Sequence, residues 1–196
     1  MGRPREFDEG QALDLAIQCF WEHGYEATSV RDLAEKMNLT TASVYNAFGD
    51  KRSLYRRSLE HYVDITVADR IRRLEGNMPP RQAIEAFFEE LIERSVNDAA
   101  HKGCMLVNAA LEMAPHDPDF RELVAQMLTR IESFFRRCVQ AGQRDGTITL
   151  SQPAIDLARM LLGVQVGLRV LARSRPEPAL LRGMVRASLA LLNPPT

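Results

Sequence analysis

Apolar residues recur along most of the chain at spacings of three and four positions, the pattern of amphipathic α-helices. In the N-terminal third, this pattern predicts a helix around residues 13–20, two short helices at 30–37 and 41–48, and a long helix from about 51 to 74. The long helix ends before the prolines at 79 and 80, which disfavour helical backbone in the residues preceding them.

Five further apolar stripes follow, at residues 84–96, 104–113, 120–138, 155–170 and 179–192. The stripe at 155–170 is apolar on nearly every side, so this helix needs cover on more than one face. An alternating run long enough for a convincing strand is absent from the sequence. The chain is therefore predicted to be all-α, with about nine helices.

The two short helices at 30–37 and 41–48 are joined by a tight connection. Ser29 and Asp32 approximate a capping box at the start of the first helix. Asn38 follows that helix and tolerates the left-handed backbone of a sharp turn. This order of cap, helix, turn and helix predicts a helix-turn-helix.

The outward face of the second short helix is small and polar and has no carboxylate; it comprises Thr40, Thr41, Ser43, Tyr45 and Asn46. A helix selected only for solubility would normally carry Glu and Lys. Short hydrogen-bonding groups without negative charge suit the major groove of DNA. A small core helix with one polar face is the alternative interpretation.

The overall charge argues against DNA at first, because the 196-residue chain has a formal net charge of -1. Locally the balance differs: residues 40–58 carry Lys51, Arg52, Arg56 and Arg57 against Asp50 alone. Cations in the first turn of a helix oppose the helix dipole, so a phosphate partner explains them better than helix stability does. Further cations near the N-terminus, at positions 3 and 5, indicate either a DNA-contacting arm or a solvated terminus.

Composition excludes several other classes of protein. The three cysteines, Cys19, Cys104 and Cys138, are widely spaced and form no zinc pattern, which indicates a reducing compartment. The sequence shows neither a secretory signal nor an apolar run of membrane-spanning length, so we expect a cytoplasmic protein without membrane contact. No catalytic set, phosphate loop or cofactor motif is recognisable, and His101 with Cys104 is too little for a metal site.

The segment GYEATSVRDLAEKMNLTTASVYNAFGDKRSLY, residues 24–55, resembles the DNA-binding domain of TetR-family transcriptional regulators. The matching positions are Gly24, Tyr25, Thr28, Leu33, Ala34, Asn38, Leu39, Thr40, Val44, Tyr45, Phe48 and Lys51. Asn38 stands where the family usually has Gly, and Ala47 where it often has His or Tyr, which removes one possible phosphate donor.

The resemblance implies a three-helix DNA-binding domain at residues 1–50, a connecting helix at 51–77, and a helical ligand-binding and dimerisation domain at 78–196. It also implies that the third helix enters the major groove of a palindromic double-stranded operator. Carried over by position, the residues near bases are Thr40, Thr41, Ser43 and Asn46, and those near phosphates are Thr28, Tyr45 and Lys51, with Arg3 added from the arm.

A small apolar or amphipathic effector is expected in the C-terminal domain, because Phe and Met suit adaptable pockets. The candidate lining residues are Phe88, Leu91, Cys104, Asn108, Phe120, Met127, Ile131 and Gln165. A packed core is the alternative for most of them.

The last two helices are expected to form the homodimer interface, since Gly163 and Gly167 permit close helix approach. The candidate interface residues are Leu161, Gly163, Gly167, Leu168, Leu181, Met184 and Val185. A core contained within one chain is the alternative.

The leading hypothesis is thus a dimeric repressor released from its operator by a small molecule, without enzymatic activity or a cofactor. One alternative is a thiol-based redox sensor or thiol enzyme using Cys104, which opens the helix in GCMLVNAALE, residues 103–112. Another is a constitutive DNA-binding regulator with no effector.

Overall fold

A computed structural model describes residues 7–195, and within that range every regular element is helical. The elements are α1 (Glu9–His23), α2 (Val30–Lys36), α3 (Thr41–Phe48), α4 (Lys51–Val63), a π-helical segment (Asp64–Ala68), α5 (Asp69–Leu74), α6 (Pro80–Val96), α7 (Met105–Glu112), α8 (Pro118–Asp145), α9 (Ala154–Ser174) and α10 (Pro178–Ala190). Because α4, the π-helical segment and α5 follow one another without a break, the described residues form nine separate helical rods. The all-α prediction with about nine helices is confirmed.

The long helix predicted at 51–74 has one interruption that periodicity did not show. Its five-residue π-helical segment spans Asp64–Ala68, where the Thr66 hydroxyl donates to the carbonyl oxygen of Tyr62 at 2.5 Å. The chain divides into two compact units within this segment, residues 1–66 and 67–196. Most of the helix that was predicted as a separate connector therefore belongs to the first unit.

The first unit packs α1, α2, α3 and α4 around a common core. Phe20 of α1 meets Tyr55 of α4 edge to face, with 4.8 Å between ring centroids, and Trp21 meets Tyr62 in the same manner at 5.2 Å. Both Leu33 of α2 and Leu54 of α4 are fully buried in this core. The core fixes α3 as one rigid part of the unit.

The second unit is built around the contact between α6 and α8. Phe87 and Phe88 of α6 pack against Phe134 and Phe135 of α8, with all four side chains at most 1% exposed. The rings of Phe88 and Phe135 are stacked with centroids 5.5 Å apart. Of the remaining helices in this unit, α5 lies against α6, α7 and α9 lie against α8, and α10 lies against both α6 and α9.

The turn between α8 and α9 depends on a glycine. A Cβ atom at Gly142 would lie 2.6 Å from Cδ1 of Ile148, so only glycine admits the buried Ile148 side chain. The backbone N–H of Ile148 donates to the Gly142 carbonyl oxygen at 2.9 Å. Residues 147–150, which alternate in polarity, are irregular and form no strand. Among the described helices, none is long and apolar enough to span a membrane.

Candidate nucleic-acid interface

The connection between α2 and α3 has the geometry of a helix-turn-helix. Ser29 and Asp32 form the predicted capping box: the backbone N–H of Ser29 donates to the Asp32 carboxylate at 2.8 Å, and that of Asp32 donates to Ser29 Oγ at 3.1 Å. These hydrogen bonds hold the pKa of Asp32 below its ordinary value. Asn38 makes the turn with a φ of 53°, as predicted. The capped and turned backbone leaves α3 at the surface of the unit.

The polar face of α3 points outward as the sequence predicts. Thr40 caps the helix, its Oγ1 accepting from the backbone N–H of Ser43 at 3.1 Å. Thr41, Tyr45 and Asn46 are exposed, whereas Val44 and Phe48 on the opposite side are buried. The face therefore presents hydroxyl and amide groups without any ionised side chain.

Tyr45 is the largest side chain on this face. It is 51% exposed, although a tyrosine ring is large enough to contribute substantially to a core. An exposed aromatic ring with a hydroxyl at its tip is well suited to contact a partner that has both apolar and phosphate groups.

Thr28 does not fit its predicted contact with phosphate. The residue is only 1% exposed, and its hydroxyl donates to the carbonyl oxygen of Gly24 at 2.7 Å. The prediction is corrected on this physical ground: the hydroxyl closes the loop between α1 and α2 instead of facing outward. Burial of this kind depends on tertiary packing and has no signal in the local sequence.

Lys51 has a structural role that the sequence did not reveal. Its Nζ donates to the carbonyl oxygens of Tyr25 and Thr28, each at 3.0 Å, and lies 4.2 Å from the centroid of the Tyr25 ring. The ammonium group therefore joins the first turn of α4 to the α1–α2 loop. This contact explains a cation at an unfavourable end of the helix dipole without requiring a phosphate.

Two further cations of the predicted patch also have partners in the first unit. Arg57 donates to the Glu9 carboxylate and to the Ala47 carbonyl oxygen at 3.2 Å, and its guanidinium lies 4.9 Å from the ring of Phe48. Arg56 pairs with Glu60 at 3.2 Å on the exposed side of α4. Lys51, Arg56 and Arg57 therefore have partners inside the protein, and contact of residues 40–58 with phosphate stays a prediction. Arg3, named with that group, lies outside the described residues.

Two family models match the chain over most of its length. Residues 12–57 match the model described as bacterial regulatory proteins, tetR family, and residues 80–188 match the tetracyclin repressor-like C-terminal domain. The chain belongs to the TetR family of transcriptional regulators. The resemblance drawn from residues 24–55 is thereby confirmed and extended to the second unit.

Relatives of this TetR-family regulator span nearly the whole chain. It is 29% identical to the uncharacterised HTH-type transcriptional regulator YezE of Bacillus subtilis, over 98% of this chain and 100% of that protein. It is 28% identical to the HTH-type transcriptional repressor ComR of Escherichia coli, over 88% of this chain and 82% of that repressor. Each relative is named as a regulator of transcription, so the enzyme alternative is excluded.

A solved structure places a similar chain on DNA. A cysteine-substituted form of the TetR-family regulator CifR, in complex with 26-bp double-stranded operator DNA, matches with a TM-score of 0.85 and 31% identity. The match covers 97% of this chain and 100% of the CifR chain. The TetR-family regulator described here is thus a DNA-binding transcriptional regulator with a helix-turn-helix.

In the second unit of the regulator, all eight predicted pocket residues are buried. Phe88 and Leu91 lie on α6, Cys104 and Asn108 at the start of α7, and the other four are Phe120, Met127 and Ile131 on α8 and Gln165 on α9. Asn108 is held by hydrogen bonds to the Lys102 carbonyl oxygen and from Arg173, at 3.2 and 3.0 Å. Burial is compatible both with a pocket lining and with a packed core.

All three cysteines are buried, and none forms a disulfide. Cys104 is 5% exposed at the N-cap position of α7. Burial raises the pKa of Cys138 to about 12 and also raises that of Cys19. Over residues 7–195 no group of His, Cys, Asp and Glu side chains is arranged to hold a metal ion.

The structure divides the predicted dimer residues between two faces. Leu161, Leu168 and Leu181 are 0% exposed and Val185 6% exposed, because they pack inside their own chain. Their placement argues against a direct role in a dimer contact. Gly163, Gly167 and Met184 remain accessible, and Val170, which the prediction missed, is 44% exposed on the same side of α9 as the two glycines.

Proposed function

We propose that this TetR-family regulator is a homodimeric repressor that reads a palindromic operator through α3 and leaves it when a small molecule binds the second unit. The uncharged, outward face of α3 carries this proposal. The operator complex of CifR and the repressor ComR support it by similarity.

In this function α3 lies in the major groove. The carboxamide of Asn46 can bond an adenine edge in two places, and the methyl and hydroxyl groups of Thr40 and Thr41 can contact a thymine methyl or a neighbouring phosphate. Tyr45 reaches the phosphate backbone with its hydroxyl. Base contacts supply the selectivity, and the phosphate contacts fix the position of the helix.

The homodimer forms through the accessible side of α9. Gly163, Val166, Gly167 and Val170 recur there at helical spacing, and a Cβ atom built at either glycine meets nothing within 4 Å. The helix of a second chain can therefore approach closely, without displacing side chains of the first. Two copies related by a two-fold axis match a palindrome whose half-sites lie about one helical turn apart.

The effector acts by favouring a dimer in which the two α3 helices no longer match successive major grooves. A ligand achieves this only by binding that arrangement more tightly than the DNA-bound one. The coupling is reciprocal, so operator DNA must weaken effector binding by the same factor.

Selection of bound sequences from random double-stranded DNA tests the DNA-binding part. The expected product is a pseudo-palindrome, which then serves as the probe for Tyr45→Phe and Asn46→Ala. Both side chains are exposed, so thermal stability is expected to stay at the wild-type value while operator affinity falls, about tenfold for Asn46→Ala.

Glu35→Ala, an exposed change on α2, is the matched control and is expected to bind the selected sequence at least as well as the wild type. Wild-type affinity in both α3 variants would show that α3 does not read the operator.

A further inference from the structure

A guanidinium group lies buried on α9 without a carboxylate partner. Arg169 is 7% exposed; its Nη1 donates to Ser95 Oγ at 2.8 Å and its Nη2 to the carbonyl oxygen of Gly103. Its Nε has no acceptor. Within the described part of the chain, both partners of this cation are neutral. Burial of a charge without a counter-charge is strongly unfavourable unless something compensates it.

A second unpartnered polar group lies one turn away on the same helix. Gln165 is 3% exposed, and its Oε1 has no hydrogen-bond partner. Residues four apart are neighbours on one helical face, so this amide and the Arg169 Nε share one buried side of α9. Buried polar groups in proteins are nearly always hydrogen-bonded, so two unpartnered polar atoms one helical turn apart indicate that a binding partner is missing there.

The surroundings add positive charge. Arg70 is 3% exposed and donates to the Glu90 carboxylate at 3.1 Å, but Arg73 binds the same carboxylate at 2.9 Å. Burial lowers the pKa of Arg70, its hydrogen bond to the Glu90 carboxylate opposes this, and the charges of Arg94 and Arg169 lower it further. Glu90 is already shared by two cations.

We propose that Arg169 and Gln165 form the anchor for the carboxylate of a small organic acid, the effector of this regulator. The Nη1 and Nη2 bonds fix the guanidinium, so its Nε–H is held in place before the ligand arrives. A carboxylate neutralises the buried charge, and Gln165 donates to its second oxygen once the amide is flipped, so that Nε2 takes the place of the unpartnered Oε1. Oxygen and nitrogen of a glutamine amide exchange places by a simple flip of the group.

The ligand also needs an apolar part. Ser95, which binds Arg169, lies on the same face of α6 as Phe88 and Leu91, and all three are buried. An acid anchored at Arg169 can therefore extend its hydrocarbon along this face, towards the aromatic centre of the second unit. This inference rests on the proposed function for the effector role, but not for the binding of the acid.

Thermal stability in the presence of matched acid and amide pairs tests the anchor. Hexanoate with hexanamide, and benzoate with benzamide, differ in charge but little in shape. The acids are expected to raise the melting temperature and the amides not, because a ligand stabilises the state that binds it. Arg169→Gln is expected to weaken the binding of the acids about tenfold or more.

Arg173→Gln is the matched control, because Arg173 lies one turn further along α9 and donates to Asn108. It is expected to keep the response to acids. Equal responses to acids and amides, or an undiminished response in Arg169→Gln, would overturn the anchor.

Gln165→Glu tests the same site without relying on a variant that removes a bond to Gly103. It supplies a carboxylate within the chain, so it is expected to raise the melting temperature of the ligand-free protein and to cancel the response to acids. A lower melting temperature together with an unchanged acid response would mean that the two orphans share only a water molecule, and would overturn the proposal.

Release of operator DNA, followed by gel shift, separates the anchor from the effector role. If acids stabilise the protein but do not release operator DNA, the acid-binding anchor stands, but the acid is not the effector of the proposed function. If amides and acids both release operator DNA, from the wild type and from Arg169→Gln, this supports an effector-controlled repressor and overturns the anchor.

Discussion

The ammonium of Lys51 lies 3.0 Å from the carbonyl oxygen of Tyr25, and this contact joins the start of α4 to the loop between α1 and α2. The same ammonium reaches the Thr28 carbonyl oxygen, so one side chain closes a loop that lies more than twenty residues earlier in the sequence. A cation that would be assigned to DNA by position is thus part of the scaffold that presents α3.

Replacing Lys51 by methionine is expected to destabilise the first unit. The change keeps most of the aliphatic stem and removes both hydrogen bonds, so the free energy of unfolding should fall by about 1–2 kcal/mol. Chemical denaturation measures the loss. Lys36→Met is the control, because Lys36 is exposed and pairs with Glu22 only at 3.7 Å. If Lys51→Met has wild-type stability but binds the operator weakly, Lys51 contacts DNA and does not stabilise the first unit.

Stability in acid is expected to depend on Asp50, which caps α4. The backbone N–H of Ser53 donates to its carboxylate at 2.7 Å, and this bond holds the pKa of Asp50 below its ordinary value of 3.8. A lowered pKa means that the stabilisation is present above pH 4 or so and is lost as the pH falls through the folded-state pKa.

Two variants of Asp50 isolate this contribution. Asp50→Ala removes the cap and is expected to cost about 1 kcal/mol at neutral pH, whereas Asp50→Asn keeps a capping oxygen that does not titrate. Urea unfolding at pH 7 and pH 3 provides the comparison. The free energy of unfolding of Asp50→Asn, relative to that of the wild type, should increase at the lower pH. A difference in free energy that does not change with pH would contradict this.

The accessible side of α9 is expected to hold the dimer together. Gly163→Glu places a charge where a Cβ atom meets nothing in its own chain, so the fold should persist while the two-chain assembly dissociates. Light scattering should return twice the chain mass for the wild type and the single chain mass for the variant. Leu111→Glu, at a residue 66% exposed on α7, is the control and should leave the mass unchanged.

Thiol reactivity distinguishes effector binding from the thiol-sensor alternative. At pH 8 a thiol with a pKa of about 12, such as Cys138, has roughly a thousandfold less thiolate than a free cysteine. Cys104 is also buried, so iodoacetamide is expected to modify the native protein far more slowly than the unfolded chain. Mass spectrometry locates the adducts. A fast adduct confined to Cys104 that weakens operator binding would favour the sensor.

The sequence was sufficient for the parts of the molecule that local chemistry determines. Asn38 in its turn, the Ser29 and Asp32 box and the outward face of α3 all depend on residues within a few positions of one another. Arg57 and Glu9, by contrast, are 48 residues apart, and nothing in either segment indicates that they meet. The sequence therefore indicated that Lys51 and Arg57 were available for DNA, although their partners lie in α1, in the α1–α2 loop and near the end of α3.

The same limit applied to α9. The all-round apolar pattern predicted cover on more than one face of α9, and α6, α8 and α10 of the same chain lie against it. The pattern could not say which leucines pack inside the chain and which side stays accessible. Arg169 stood at the end of that apolar run, and its partners Ser95 and Gly103 are 74 and 66 residues away. Long-range pairing of this kind becomes visible only once the helices are packed.

The internal pairing of Lys51, Arg56 and Arg57 also has a consequence for how the regulator finds its operator. Cations already bonded within the protein displace few counterions from DNA, so affinity should fall only gently as salt is raised. Attraction to arbitrary DNA is weak for the same reason. The regulator would then lose little of its working concentration to the rest of the chromosome, and a small number of copies could occupy one operator.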